Sequence, residues 1–431
     1  MKKMLAMALA LLMVAVLLPV TAMAEDGFVT VTIDYNSDYA NENPNQITAA
    51  EDIINDMHYD TVKAAHDAFA ALFAEGEPLF TNWNDPAKTV EKVTYSIYGT
   101  VAPGDANDIS LSAGPRNKIS VDLLGYNNAR INGKVSFSAE VAGGYPTWTV
   151  KEGIFNVKNI EFMDNASLGV NGGMYNDDPT PTQDTINIEG CTFHGRLYTY
   201  HNDAAITRIE NITGNKFIND GTVAYAFFHQ GSDFRGTTNT VNFKNNTVTG
   251  YTRGINLQSN KTDFFVENNV ISSTNSEPNR GAIQLTDAKK CVVTNNTIDV
   301  NGGNAIFFHE AATNMDVSYT ISNNKIKAPY LVYNNVPNLP TENIQSEGNI
   351  LTITYPGKAM TKENGVIEEE TVISGTYSNS IVIIVPDDSA DTTTTTEKPA
   401  NPATGANDFV GAAAALAVVS LLGMAVASRK K

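Results

Sequence analysis

Basic residues are scarce in this chain. Its 431 residues include 29 Lys and Arg against 47 Asp and Glu, a formal net charge of −18, and only 18% of all residues are charged. A nucleic-acid-binding surface needs the opposite excess to neutralise phosphates, so this balance argues against nucleic acid as a partner. Cysteine is almost absent, at two residues, and helical periodicity is missing from the middle of the sequence. Asparagine, by contrast, is plentiful at 48 residues. Its amide competes locally for the backbone, which makes it poor in helix interiors and ordinary strands, so this many asparagines point to many turns. Hydrophobic residues, at 42%, suffice for a large core, and the length exceeds a typical single domain unless the fold is elongated or repetitive.

The two ends read as addresses. Residues 1–24 have the form of a secretory signal: Lys2 and Lys3 are basic, Leu5 to Leu18 is apolar, and Ala22-Met23-Ala24 is a small-x-small site that places cleavage between Ala24 and Glu25. A retained N-terminal anchor is the alternative. At the other end, Phe409 to Ala427 is an apolar stretch of about 19 residues, nearly enough for a helix to span a hydrocarbon core. The Arg429-Lys430-Lys431 tail would hold that end in the cytoplasm and leave everything upstream outside the cell.

Just before this transmembrane segment, residues 409–427, stands Asn401-Pro402-Ala403-Thr404-Gly405. Pentapeptide, apolar segment and basic tail, residues 401–431 together, resemble the LPxTG-type cell-wall sorting signal of Gram-positive surface proteins. The resemblance implies a sortase that cleaves Thr404-Gly405, covalent attachment to peptidoglycan, and an extracellular, wall-anchored protein. The family's usual first residue is Leu where this chain has Asn401, which leaves the sortase class open; a plain membrane anchor is the alternative. Residues 387–400, with threonine from Thr392 to Thr396, bury too little apolar area to fold and read as a spacer. Lys2 and Lys3 leave with the signal, and Asp408, Arg429, Lys430 and Lys431 with the sorting tail, so the charge of residues 25–404 is −22.

A phrase recurs between Gly153 and Thr354. It reads Gly214-Asn215-Lys216-Phe217, Asn245-Asn246-Thr247-Val248, Asn268-Asn269-Val270-Ile271, Asn295-Asn296-Thr297-Ile298, Asn323-Asn324-Lys325-Ile326 and Gly348-Asn349-Ile350-Leu351, with weaker forms at Gly190-Cys191 and Asn159-Ile160. From Cys191 onward the spacings are 24, 31, 23, 27, 28 and 25 residues, a variable period in the twenties that marks a solenoid with loops of different length. A second strand-like run falls between the phrases, at Leu197 to His201, Ala224 to His229, Arg253 to Gln258, Ala282 to Thr286, Ala305 to His309 and Tyr330 to Asn334. If coils stack as parallel strands, equivalent asparagines superpose, each taking a left-handed turn conformation while its amide bonds to the neighbouring coil.

These Asn-Asn-x-Ile phrases resemble the right-handed parallel β-helix superfamily, the pectate-lyase-like fold. The expected fold is all-β, a β-helix over residues 91–386 with a small helical N-terminal cap over residues 25–90; a β-sandwich is the alternative for the repeat, and a separate binding domain for the cap. Thr48-Ala49-Ala50-Glu51 reads as a capping box, and Val62, Ala65, Phe69, Leu72 and Phe73 follow helical spacing. Val93 to Val101, Ile109 to Ser112, Ile119 to Leu124 and Ile131 to Ser138 read as earlier coils. Cys191 and Cys291 fall four coils apart, about 19 Å at the stacking distance, and are expected to be free thiols.

Many members of that superfamily are polysaccharide lyases or hydrolases. The hydrolases carry Asn-x-Asp, Asp-Asp, Gly-His-Gly and Arg-x-Lys in that order; here Asn314-Met315-Asp316, Asp177-Asp178 and Arg116-Asn117-Lys118 are fragments in another order, and no Gly-His-Gly exists. No acid grouping for the Ca²⁺ cluster of the lyases is legible, so no cofactor is assigned. The catalytic candidates are His201, His229 and His309, aligned after the second strand run, with His201 and His229 expected side by side on the outer surface, and Asp287 with Glu310 at the next position round the turn. Ordinary polar residues at a strand exit are the simpler reading. The expected function is a wall-anchored, non-catalytic adhesin or glycan-binding module with a glycan or host-surface ligand; the alternatives are an anchored lyase or glycosidase and a structural spacer.

Overall fold

The computed structural model describes residues 27–74, 76–79, 89–104, 108–112, 120–138, 154–163, 167–172, 182–201, 206–231, 239–274, 280–288, 290–301, 304–308, 318–328, 330–334, 344–353, 357–361, 367–370, 373–377 and 382–384. Both ends of the chain read above as addresses, the spacer, and the hydrolase-like fragments lie outside these residues. Among the described residues no helix is long and apolar enough to cross a membrane.

The chain winds as a parallel β-solenoid with three strands per coil. One coil runs through Ile206–Thr213, Lys216–Ile218 and Phe227–Gly231; the next through Asn239–Lys244, Thr247–Tyr251 and Ile255–Gln258. Equivalent strands pair in parallel along three columns. The first two columns belong to one 20-stranded sheet that bends at the Asn phrase, and the third to a 12-stranded sheet.

Two adjacent residues make each bend, and they divide the work that the sequence reading gave to one. The first residue is Asn159, Gly190, Gly214, Asn245, Asn268, Asn295, Asn323 or Gly348, each with φ between 55° and 68°. Only glycine enters this left-handed region freely and asparagine with little strain, which explains why no other residue type occurs there. The second residue carries the ladder. Asn215, Asn246, Asn269, Asn296, Asn324 and Asn349 are each 1% exposed. In each link the Oδ1 of one asparagine accepts the backbone N–H and the Nδ2–H of the asparagine one coil earlier: Asn269 Oδ1 takes Asn246 N at 2.8 Å and Nδ2 at 3.2 Å, and Asn296 Oδ1 takes Asn269 N and Nδ2, both at 2.9 Å. The remaining Nδ2–H of Asn269 goes to Phe243 O at 2.9 Å. All buried polar atoms at the bend thus find partners, as an interior requires. Cys191 holds the same position one coil earlier, where its N–H donates to Asn215 Oδ1 at 2.9 Å.

Inward residues of the first two columns fill the interior. Phe162, Phe193 and Phe217 stack at 4.9 Å spacing, coil on coil. Cys191 and Cys291 are free and buried, as their separation in the stack requires, and burial pushes the Cys191 thiol up to about 12. Outside the first column a second, half-buried amide row runs from Asp122 through Asn156, Asn187 and Asn211 to Asn242, with N···O distances of 2.6 to 3.0 Å. Ion pairs between coils flank it, among them Lys158–Glu189 and Lys244–Glu267, both at 2.8 Å.

Each end of the stack is closed by an antiparallel strand. Phe28–Tyr35 runs antiparallel to Val90–Val101, an element that the sequence reading had placed inside a helical cap. Its inward Val29, Val31 and Ile33 meet helices α1 (Ser37–Glu42), α2 (Pro44–Ile54) and α3 (Val62–Ala71) in one core. The Thr48 capping box is not used: α2 starts four residues earlier with Pro44 at its first turn, and Thr48 Oγ1 donates to Pro44 O at 3.0 Å. Helix α3 is capped by Thr61, whose hydroxyl accepts Ala64 N at 3.0 Å, and buries Val62, Ala65 and Phe69 as the spacing predicts. At the far end Ile373–Tyr377 runs antiparallel to Asn349–Ile353.

Asn269→Ala removes the acceptor of Asn246 N–H and Nδ2–H and the donor to Phe243 O and Asn296 Oδ1, so buried groups on both neighbouring coils lose partners. Urea unfolding should show a loss of roughly 2–4 kcal/mol. Asn268→Gly, at the exposed left-handed position, should be near neutral, and Asn268→Val should cost about 1–2 kcal/mol.

Candidate functional site

The third column separates the histidines that the sequence reading had aligned. Leu197 pairs with Phe227, so His229 lies opposite Thr199 and His201 lies opposite Gly231. The strand begins at Phe227 and not at Ala224, and this shift turns His229 to the interior. His229 and Glu210 are both fully buried. His229 Nδ1 lies 3.0 Å from Thr199 Oγ1 and 3.2 Å from Glu210 Oε2, and its Nε2 lies 3.3 Å from Thr262 Oγ1. Arg208, 2% exposed, reaches Tyr200 O at 2.9 Å from the same strand as Glu210. This polar knot in an apolar interior was invisible in the sequence, because Arg208-Ile209-Glu210 reads as a surface alternation.

The placement of His229 on the outer surface is therefore corrected: it is a core residue held by hydrogen bonds. Asp287 stands just after Gly281–Thr286 with φ 52°. His309 and Glu310 lie outside the described residues. Among the described residues no group of three His, Cys, Asp or Glu side chains converges as a metal site.

The outward side of the third column presents a different set of groups. Seven consecutive strands, from Leu168–Gly172 through Leu197–His201, Phe227–Gly231, Ile255–Gln258, Gly281–Thr286 and Asn304–Phe308 to Tyr330–Asn334, contain no Asp, Glu, Lys or Arg. Register places Tyr198, Phe228, Asn256, Gln284 and Phe307 in one outward row. Phe228, Asn256 and Gln284 are only 5–6% exposed although they point outward, while Tyr198, Tyr225 and Gln230 around them are half-buried. The face is thus recessed.

Aromatic rings and amides share this recess. Phe228 stacks between Tyr198, at 5.5 Å, and Tyr225, at 6.0 Å. Tyr198 OH donates to Gln230 Oε1 at 3.1 Å, and Tyr225 OH to Gln284 Oε1 at 2.8 Å. The amide N–H groups of Gln230, Asn256 and Gln258 take no partner among the described residues. At the edge where the chain enters the strands, Arg253 donates to Tyr225 OH at 3.2 Å and lies over its ring at 5.4 Å. Arg196 stands beside Tyr198 and Tyr225. Register alone brings these rings, amides and arginines together, which is why a single sequence does not show the set.

The Glu210–His229 contact has a measurable signature. Burial by itself pushes the Glu210 carboxyl up, but the charge and hydrogen bond of His229, the Arg208 charge and the Thr199 hydroxyl outweigh it, and the net shift is downward. A carboxyl whose folded pKa is depressed contributes stability above its ordinary value of 4.5, and that stability is lost as pH falls through the lowered folded value. Glu210→Gln should therefore flatten the decline of Tm between about pH 5 and pH 3. Equal slopes in both proteins would mean that this carboxyl is not ionised in the fold. Against known proteins, no family model, no curated protein and no solved structure matches the chain.

Proposed function

We propose that this chain is an extracellular, wall-anchored β-helix protein whose recessed third face binds a glycan without turning it over. The uncharged run of strands carries the reading. On a molecule of net charge −18, a face built from stacked rings, phenols and unspent amide donors suits a polyhydroxylated ligand. Sugar rings pack their C–H faces against aromatic rings, and their hydroxyls pair with amide N–H groups. These groups hold a sugar but do not shuttle protons at neutral pH. The same reading takes the solenoid as right-handed and of the pectate-lyase type, in line with the strong right-handed preference of parallel crossovers. The sorting-signal resemblance at Asn401 to Gly405 supports sortase as a processing partner and peptidoglycan as the attachment site.

A panel of neutral and acidic glycans, presented to the purified protein, tests this. Binding is expected without new reducing ends or unsaturated products. Tyr198→Ala should weaken it roughly tenfold. Appearance of cleaved product, or no binding across the panel, would sink the reading.

A further inference from the structure

Several cations among the described residues pair with a carboxylate on the neighbouring strand. Lys92 meets Asp34 at 2.8 Å, Arg130 meets Glu161 at 2.8 Å, Lys290 meets Asp263 at 2.6 Å, and even the buried Arg208 has the Glu210 charge acting in its neighbourhood. Arg196 breaks this pattern. Its Nε is sealed from solvent with no hydrogen-bond partner among the described residues. The groups that act on its charge are Tyr225, Tyr198, Tyr251 and a second cation, Arg253, with no carboxylate among them. Burying a guanidinium without a counter-ion beside another guanidinium is costly, and a fold tolerates it where an anion arrives from outside.

The backbone beneath Arg196 is held in place. Tyr251, fully buried, sends its hydroxyl to Gly195 O at 2.6 Å, and Arg196 O accepts Leu168 N at 3.1 Å. Arg253 is fixed from the other side by Tyr225, which is itself tied to Gln284. Two guanidinium groups therefore stand at one edge of an uncharged, aromatic recess, Arg253 held by its side chain and Arg196 carried on a fixed backbone. A planar guanidinium matches an oxyanion through two parallel N–H···O bonds, which an ammonium does not. The surrounding net negative charge would repel anionic polymers elsewhere, so this edge is where an anionic group is drawn in.

We propose that Arg196 and Arg253 form an oxyanion subsite that takes a sulfate or carboxylate substituent of the glycan lying on Tyr198 and Phe228. The subsite rests on the glycan reading for its natural ligand, but its chemistry can be probed without one. Inorganic sulfate, titrated at constant ionic strength against chloride, should raise the Tm of the purified protein saturably, and Arg196→Gln should abolish the saturable part. Arg253→Gln, whose ring contact is at the recess rim, should weaken it if Arg196→Gln does not fold. Matched sulfated, carboxylated and unsubstituted forms of one oligosaccharide then identify the source of the anion. The wild-type protein should favour one charged form roughly ten- to hundredfold, and Arg196→Gln should bring charged and neutral forms to parity. No saturable sulfate effect in the wild type, or an effect unchanged in both variants, overturns the subsite and leaves the glycan reading standing. A saturable effect with no oligosaccharide bound keeps the subsite and removes the glycan.

Discussion

The buried asparagine amide is the interaction on which the rest of this molecule depends. A β-helix must turn its backbone sharply once per side of every coil, and each turn leaves peptide groups facing the interior. At this bend, Oδ1 of one asparagine takes two N–H groups from the coil before it, and Nδ2 returns a bond to a carbonyl and reaches the next coil. No shorter or longer side chain supplies two acceptor positions and two donors at that reach. The left-handed residue in front of it sets the angle, and the parallel strands on both sides follow in register.

Much of the fold was legible for this reason. Turn chemistry is local, so the Asn-Asn phrase announces each coil and its spacing counts them. The helix α3 was equally legible, because Val62, Ala65 and Phe69 fall on one face. The strand Phe28–Tyr35 was not, since its partner Val90–Val101 lies far along the chain and runs antiparallel, against the habit of every coil that follows. The histidine alignment failed on a similar point. His201 and His229 both end apolar runs, but coil loops of different length shift one strand by two residues, which keeps the alternation and changes the neighbours. Register in a solenoid is a property of pairs of coils, and a single sequence shows only one coil at a time.

The three sides of the coil have been given different surfaces by the same alternation. Outward residues of the first column pair Lys with Glu or Asp across coils, so that side is charged but internally neutralised. The seven strands of the third column carry no charged residue, and rings and amides recur in their outward row from Tyr198 to Phe307. Stability asks little of an exposed strand position, so the contrast between the two sides is one of surface chemistry and not of packing.

The antiparallel strands at the two ends have a further consequence. A parallel stack grows by adding coils in the same direction, and an exposed terminal coil would offer its unpaired edge to a second molecule, which is how solenoids become fibres. Phe28–Tyr35 and Ile373–Tyr377 run against the strands they pair with, so those two edges are already occupied. Among the described residues, one edge of the first column and one edge of the second are thereby covered by the chain itself.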